Sequence, residues 1–180
     1  GKVLLSGELE RILNKNLNKG LILDAHIAQN EEQRLIMWER REAAAEISLL
    51  KTPLINNDIA VPLDKVSKFL AVMEKKLPEL DAAADVLIVS HLGDGNVHYT
   101  VWPSKDDEKH KDKIMETIEN VVISLGGSFS AEHGIGLSKL SSMERRKDRT
   151  ALKVMRKIKN AIDPEGIMNP GKVLPKVKKA

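Results

Sequence analysis

Two strand-like runs meet at an Asp-Gly pair, and that junction constrains the fold of this chain more than any other feature. The apolar run Val86-Leu87-Ile88-Val89 leads into His91-Leu92-Gly93-Asp94-Gly95-Asn96-Val97-His98. The β-branched run Val97-His98-Tyr99-Thr100-Val101-Trp102 leaves it. Such runs joined by Asp-Gly predict a β-hairpin with a type I′ turn, whose two central residues both take positive φ. Counting outward from Asp94 and Gly95 sets Gly93 opposite Asn96, Leu92 opposite Val97 and His91 opposite His98. Directly opposed residues share one face of an antiparallel pair, with Cβ atoms ~5 Å apart. Two imidazoles so placed can converge on one metal ion or one small substrate. A lone strand histidine is more often structural or merely exposed. A facing pair beside two glycines and an asparagine is harder to explain that way.

Cysteine is absent. That removes disulfides, thiolate metal sites and cysteine nucleophiles, so any metal must be held by nitrogen and oxygen. It also fits a reducing compartment. The net charge of +3 comes from 29 basic and 26 acidic residues. The basic excess gathers at Arg145, Arg146, Lys147 and Arg149 and again at Lys172, Lys176, Lys178 and Lys179. Nucleic-acid binding needs a basic face with aromatics for stacking. The five aromatics here avoid both clusters, so the clusters read as a solvated helix face and a frayed tail, and no nucleic-acid partner is expected. A hydrophobic content of 42% over 180 residues supports a real core in one compact domain or slightly more. No apolar run reaches the ~18 residues a transmembrane helix needs, and Gly1-Lys2-Val3-Leu4-Leu5 is too short for a secretory leader. The expected location is the cytoplasm or a membrane periphery.

Along the chain, residues 6–19 predict a helix, with Ser6 as cap and Leu9, Ile12, Leu13 and Leu17 at helical spacing. Residues 21–28 read as a strand. Residues 30–47 predict a long helix with Leu35, Trp38 and Ile47 inward. Residues 52–58 hold turn formers, Ile59-Ala60-Val61 is a short strand stopped by Pro62, and 63–77 is a helix bounded by Pro78, with Val66, Phe69, Leu70 and Met73 on one face. The hairpin spans 85–102. A helix over 106–125 turns Ile114, Ile118, Val121 and Val122 inward and ends at Gly126-Gly127. Ser128-Phe129-Ser130-Ala131 is a further strand, and 142–161 a basic helix. From 163 the chain is loop. The order β-α-β-α-β-β-α-β over 20–131 predicts an α+β fold: a ferredoxin-like antiparallel sheet with helices packed on one face. The C-terminal helix and loop fall outside that layer.

Glu132-His133-Gly134-Ile135-Gly136 follows the last strand-like run. A carboxylate beside an imidazole can supply a metal ligand and a base. With His91 and His98, Glu132 would complete a set of two histidines and one carboxylate, which suits zinc, manganese or ferrous iron and leaves positions open for substrate oxygens. Taken alone, Glu132-His133 is explained as well by a turn at a strand end. The same holds for Asp163-Pro164-Glu165-Gly166-Ile167-Met168-Asn169-Pro170-Gly171-Lys172, a rigid irregular stretch in which Asn169, preceding Pro170, is expected to be extended.

These three motifs together resemble the C-terminal part of FAD-linked oxidases and dehydrogenases of 2-hydroxy acids. This group of vanillyl-alcohol-oxidase-type flavoproteins includes D-lactate dehydrogenases, the glycolate oxidase flavin subunit and D-2-hydroxyglutarate dehydrogenase. The matching residues are those of 91–98, Glu132 through Lys139, and Asp163-Pro164 through Lys172; Trp38-Glu39-Arg40-Arg41 looks like the family's Trp-x-x-Arg segment. The resemblance implies a cap or substrate domain over 1–140 and, over 141–180, a helix and tail that rejoin a flavin domain. It implies that His91, His98 and Glu132 bind a divalent metal, zinc or manganese. His133 would be the base that takes the substrate hydroxyl proton, Arg41 and Asn96 would hold the substrate, and Asn169 would sit near the flavin. FAD would be bound mainly by a preceding domain, so the chain is expected to be a C-terminal fragment, inactive alone. In the enzyme, hydride would pass from the α-carbon of a small 2-hydroxy acid to the flavin. Ala45 and Asn56 stand where the hydroxyglutarate branch carries Thr and Lys, which argues for the D-lactate or glycolate class.

Two other readings compete. The same His91, His98, Glu132 and His133 set could serve a metal-dependent hydrolase. Or the chain could be a non-catalytic α+β binding module that forms a homodimer through an exposed sheet.

Overall fold

The computed structural model describes residues 5–176, and the side chains of Ser6, Ala44 and Ala45 lie outside the described set, as do Lys178 and Lys179. The chain divides into two compact units, Gly1–Glu46 and Ile47–Ala180. The first carries α1 (Leu5–Asn18) and most of α2 (Glu31–Ser48). Asn30 accepts the Gln33 amide at 2.9 Å, and Gln33 accepts the Gln29 amide at 2.8 Å, a reciprocal cap that starts α2. The strand expected over 21–28 does not form. Leu21 and Leu23 are exposed there, and without a pairing partner an extended apolar run gains no ladder. Leu35, Trp38 and Ile47 are about half exposed rather than inward, because among the described residues the buried hydrophobic cluster begins only at Ile55.

The second unit is an α+β layer, as the pattern of runs predicts. Strands β1 (Ile55–Ala60), β2 (Asp85–His91) and β3 (Asn96–Trp102) form an antiparallel sheet in the order β1-β3-β2. Helices α3 (Val66–Leu80) and α4 (Glu108–Ser124) bury Phe69, Met73, Ile114, Ile118 and Val122 against Ile59, Val97, Tyr99 and Val101. The 3.6-residue spacing of the helices and the period-2 alternation of β3 both point into this core. Helix α3 runs through Pro78 to Leu80 instead of stopping before it; proline's fixed φ is helical, and near a helix end only one backbone bond is lost.

Strand β1 begins at Ile55, earlier than expected, although Asn56, Asn57 and Asp58 are poor strand formers. Pairing decides it. Asn57 and Asp58 stand opposite Tyr99 and His98, and Asn57 Nδ2 donates to the Tyr99 carbonyl at 3.1 Å. The last expected strand, at 128–131, reduces to a single bridge between Ala60 and Ser128, because the amides of the following residues turn toward Asp58.

The hairpin forms with a different register. His91 faces Asn96, and His98 faces Val89. The loop is four residues long, and only Gly95 of the Asp94-Gly95 pair has positive φ, at 80°. Two bonds explain the wider loop. Asp94 Oδ1 accepts the Asn96 amide at 3.1 Å, and the Gly95 carbonyl accepts the Val61 amide at 3.1 Å. A Cβ on Gly95 would sit 2.1 Å from the Val61 carbonyl oxygen, so the loop docks where only glycine fits. The register has moved by two residues, so His91 and His98 keep a common face as diagonal neighbours.

The basic stretch is two helices, α5 (Leu140–Arg146) and α6 (Arg149–Ile162), not one. Asp148 caps α6 by accepting the Ala151 amide at 2.8 Å. Arg145 and Arg146 are not a solvated face: both pair with the buried Glu119 of α4, at 3.1 and 2.8 Å. In the loop beyond α6, Asp163 accepts the amides of Ile167 and Met168, each at 3.0 Å. Asn169 takes a left-handed φ of 46° rather than the expected extended form; asparagine is one of the few residues that enter this region readily.

Candidate metal and substrate site

The face of the sheet opposite α3 and α4 carries the polar side chains. His98 on β3 and Asp58 on β1 are directly paired, and His91 closes β2 one diagonal step away. The His91 and His98 rings meet edge to face, centroids 5.2 Å apart. The segment bearing Glu132 and His133 arrives after Gly127, whose absent Cβ would lie 2.2 Å from the Ala60 carbonyl oxygen. That close approach lets the chain cross the end of β1 and lay residues 131–133 over Asp58.

Asp58 organises this region. Its side chain is fully buried. Oδ2 accepts the amides of Ala131, Glu132 and His133 at 3.2, 3.0 and 2.8 Å and the Lys139 ammonium at 3.3 Å. Oδ1 accepts Asn96 Nδ2 at 2.9 Å. Burial alone would raise the pKa of Asp58. The amides of His133 and Glu132, the Asn96 side chain and the Lys139 charge outweigh it and hold the carboxyl well below its usual range.

Glu132 Oε1 is the point of convergence. It lies 3.0 Å from His98 Nε2, 3.3 Å from His133 Nε2 and 3.8 Å from His91 Nε2. The His98 and His133 rings stack at 5.1 Å. One donor atom from each of Asp58, His98, Glu132 and His133 falls within a 4.8 Å set. Burial lowers the pKa of His98 despite the neighbouring Glu132 and Asp58 carboxylates, which favours the neutral imidazole that a metal needs.

The structure therefore gathers His91, His98, Glu132 and His133. Asn96 lies beneath them, its Nδ2 shared between Asp58 and the Ile59 carbonyl, its Oδ1 buried with no partner among the described residues. Arg41 is an exposed residue of α2 in the first unit, and Asn169 is exposed on the loop after α6, outside the cluster. Sequence reasoning missed Asp58 and gave Lys139 no role. The alternation of Ile55, Asn57 and Ile59 was the available signal, since extending the strand back to Ile55 puts Asp58 on the histidine side.

The model for FAD linked oxidases, C-terminal domain, matches residues 5–173. The chain belongs to this family of FAD-linked oxidase C-terminal domains. It is 34% identical over 172 residues to the mitochondrial D-2-hydroxyglutarate dehydrogenase of Arabidopsis thaliana, covering 93% of this chain and 30% of that protein. It is 32% identical over 164 residues to the D-2-hydroxyglutarate dehydrogenase of Stutzerimonas stutzeri, covering 87% and 35%. The glycolate oxidase subunit GlcD of Bacillus subtilis is 32% identical over 164 residues, covering 88% and 34%. The chain thus spans about a third of the length of these curated relatives. Within this FAD-linked oxidase C-terminal domain, His91 and His98 stand on paired strands and Glu132-His133 on the turn above them. No helix among the described residues is long and apolar enough to cross a membrane.

Proposed function

We propose that this chain is the metal- and substrate-holding part of an FAD-dependent dehydrogenase or oxidase of a small 2-hydroxy acid, of the D-lactate or glycolate class. One observation carries the reading: three imidazoles converge on a single carboxylate oxygen of Glu132 in a member of the FAD-linked oxidases. The donors are nitrogen and oxygen only: Asp58, His98, Glu132 and His133 offer atoms within 4.8 Å of one another, and His91 Nε2 stands 3.8 Å from Glu132 Oε1, a set that suits zinc or manganese. His91, His98 and Glu132 would hold the ion. A cation bound there would supply charge that acidifies a hydroxyl, and FAD, bound mainly by sequence outside this chain, would supply the two-electron acceptor.

His133 accepts the substrate hydroxyl proton. Its half-exposed ring faces both the cluster and the solvent that carries the proton away. Arg41 would bind the substrate carboxylate and Asn169 would lie toward the flavin, while Asn96, whose Nδ2 is already donated to Asp58 and Ile59, can offer substrate only its buried Oδ1, as an acceptor for a hydroxyl. Residues 1–140 act as the cap part. Residues 141–180 rejoin the flavin domain, a role supported by the exposed Val154, Ile158 and Ile162 at four-residue spacing on α6. The substrate carries no distal carboxylate to grip, in keeping with Ala45 and with the exposed Asn56.

The test joins this chain to its FAD-binding region and follows reduction of an artificial acceptor by D-lactate, glycolate or D-2-hydroxyglutarate. Turnover of one of the first two is expected, abolished by chelator and by His98→Ala and reduced at least ~100-fold by His133→Ala. Preference for D-2-hydroxyglutarate would overturn the substrate class. Zinc-dependent ester or amide hydrolysis by the chain alone would replace the whole reading with a hydrolase.

A further inference from the structure

Asp58 is a fully buried charge that the proposed chemistry leaves without a role. It stands within the donor cluster, so it invites assignment as a fourth metal ligand. Its hydrogen bonds argue otherwise. A carboxylate offers about four lone-pair sites. Oδ2 already accepts three consecutive amides and the Lys139 ammonium, and Oδ1 accepts Asn96 Nδ2. His98 Nδ1 is 4.0 Å from Oδ1, too far for a hydrogen bond.

The three amides are those of the residues that carry the site. Consecutive N–H groups on a turn form a concavity that binds an anion, and here the anion is the chain's own side chain. Two further bonds brace the same turn: Lys139 Nζ donates to Ser130 Oγ at 2.8 Å, and Ser130 Oγ donates to the Gly134 carbonyl at 3.1 Å. Because Asp58 is also the direct strand partner of His98, one residue sets the height of the turn above the histidine it must meet.

We propose that Asp58 is a positioning residue: it seats the 131–133 turn and thereby aims Glu132 and His133 at His98, without itself binding the cation. The inference rests on the metal-site reading above, and Lys139 supports the carboxylate in this task.

The experiment compares this chain with its Asp58→Asn variant by cobalt(II) titration and by amide hydrogen exchange. The variant is expected to bind cobalt 10–100-fold more weakly, the usual cost of losing a residue that orients a ligand. Its cobalt absorption spectrum at saturation is expected to match the parent. In the metal-free chain, exchange at Glu132 and His133 is expected to quicken, while Ala131, whose amide also donates to the Asp58 carbonyl at 3.1 Å, and the β1–β3 ladder keep their protection. A changed spectrum at saturation would make Asp58 a ligand and overturn the proposal. Unchanged affinity with unchanged exchange would overturn it as well. If the parent binds no cobalt, the metal reading fails, and the exchange measurement still decides the role of Asp58. Should Asp58→Asn not fold, Lys139→Met takes its place, with smaller shifts of the same two kinds expected and parental behaviour in both counting against the proposal.

Discussion

On the side of the sheet that meets α3 and α4, Ile59, Val97 and Val101 disappear beneath Phe69, Met73, Ile114 and Ile118. On the opposite side, His98, His91 and Asp58 meet a single turn through a handful of directed bonds. The first side is held by area and shape, which many atoms share and no one atom controls. The second is held by geometry, where one carboxylate fixes three amides. Damage to the first should unfold the unit. Damage to the second should leave it folded and misaimed.

Several substitutions break or sharpen that contrast. The largest loss of stability should come from Phe69→Ala, about 3–5 kcal/mol by denaturant unfolding, with cobalt binding intact wherever the variant is still folded; a loss below about 1 kcal/mol would contradict the packing account. Next comes the metal itself. Zinc at a hundredfold its Kd should stabilise the chain by about 2.7 kcal/mol, and His98→Ala should erase that gain while barely moving the metal-free melting curve. Gly95→Ala should cost about 1–3 kcal/mol, because it forces a side chain into a left-handed residue pressed on the Val61 carbonyl.

Acid should separate the two sides further. The folded His98 pKa is lowered from 6.5 by burial, so below that pH the unfolded chain takes up a proton that the folded one resists, and stability falls. Asp58 is depressed from 3.8, so its contribution is complete above that pH and drains away beneath it. Asp81, where burial is outweighed by bonds from His110 and the Ser104 amide, is drawn down to about 2 and loses its share between about pH 4 and 2. Melting temperatures from pH 8 to 2, without metal, should show a shallow decline first and a steeper one later; a flat profile would contradict all three assignments. Lys51→Ala, which removes an exposed pair with Asp85, should change stability by less than about 1 kcal/mol.

The core was readable because burial leaves a period. Val66, Phe69 and Met73, and likewise Ile114, Ile118, Val121 and Val122, recur at helical spacing and all are buried. Strand limits, the hairpin register and the break between α5 and α6 were less readable, because side-chain bonds decide them against local propensity. The four-residue hairpin loop depends on Asp94 and Val61, and the early start of β1 on Tyr99 and His98. In the site, the histidines and Glu132-His133 stand out in short motifs. Asp58 does not, since its side-chain partners lie 38 to 81 positions away along the chain. The first unit was misread for the opposite reason: helix and strand patterns in it promised burial that the described residues do not supply.

The hairpin register carries an arithmetic of its own. His91 and His98 sit on one side because His91 is paired with Asn96 and His98 stands two residues further along β3. A slip of the strands by two would conserve the meeting of imidazoles, as the shift of two already does here. A slip of one would turn His98 into the space filled by Phe69 and Met73 and bring Val97 out among the ligands. Among homologous chains, the loop between the strands should therefore tolerate a change of length more readily than the strands tolerate a change of partner.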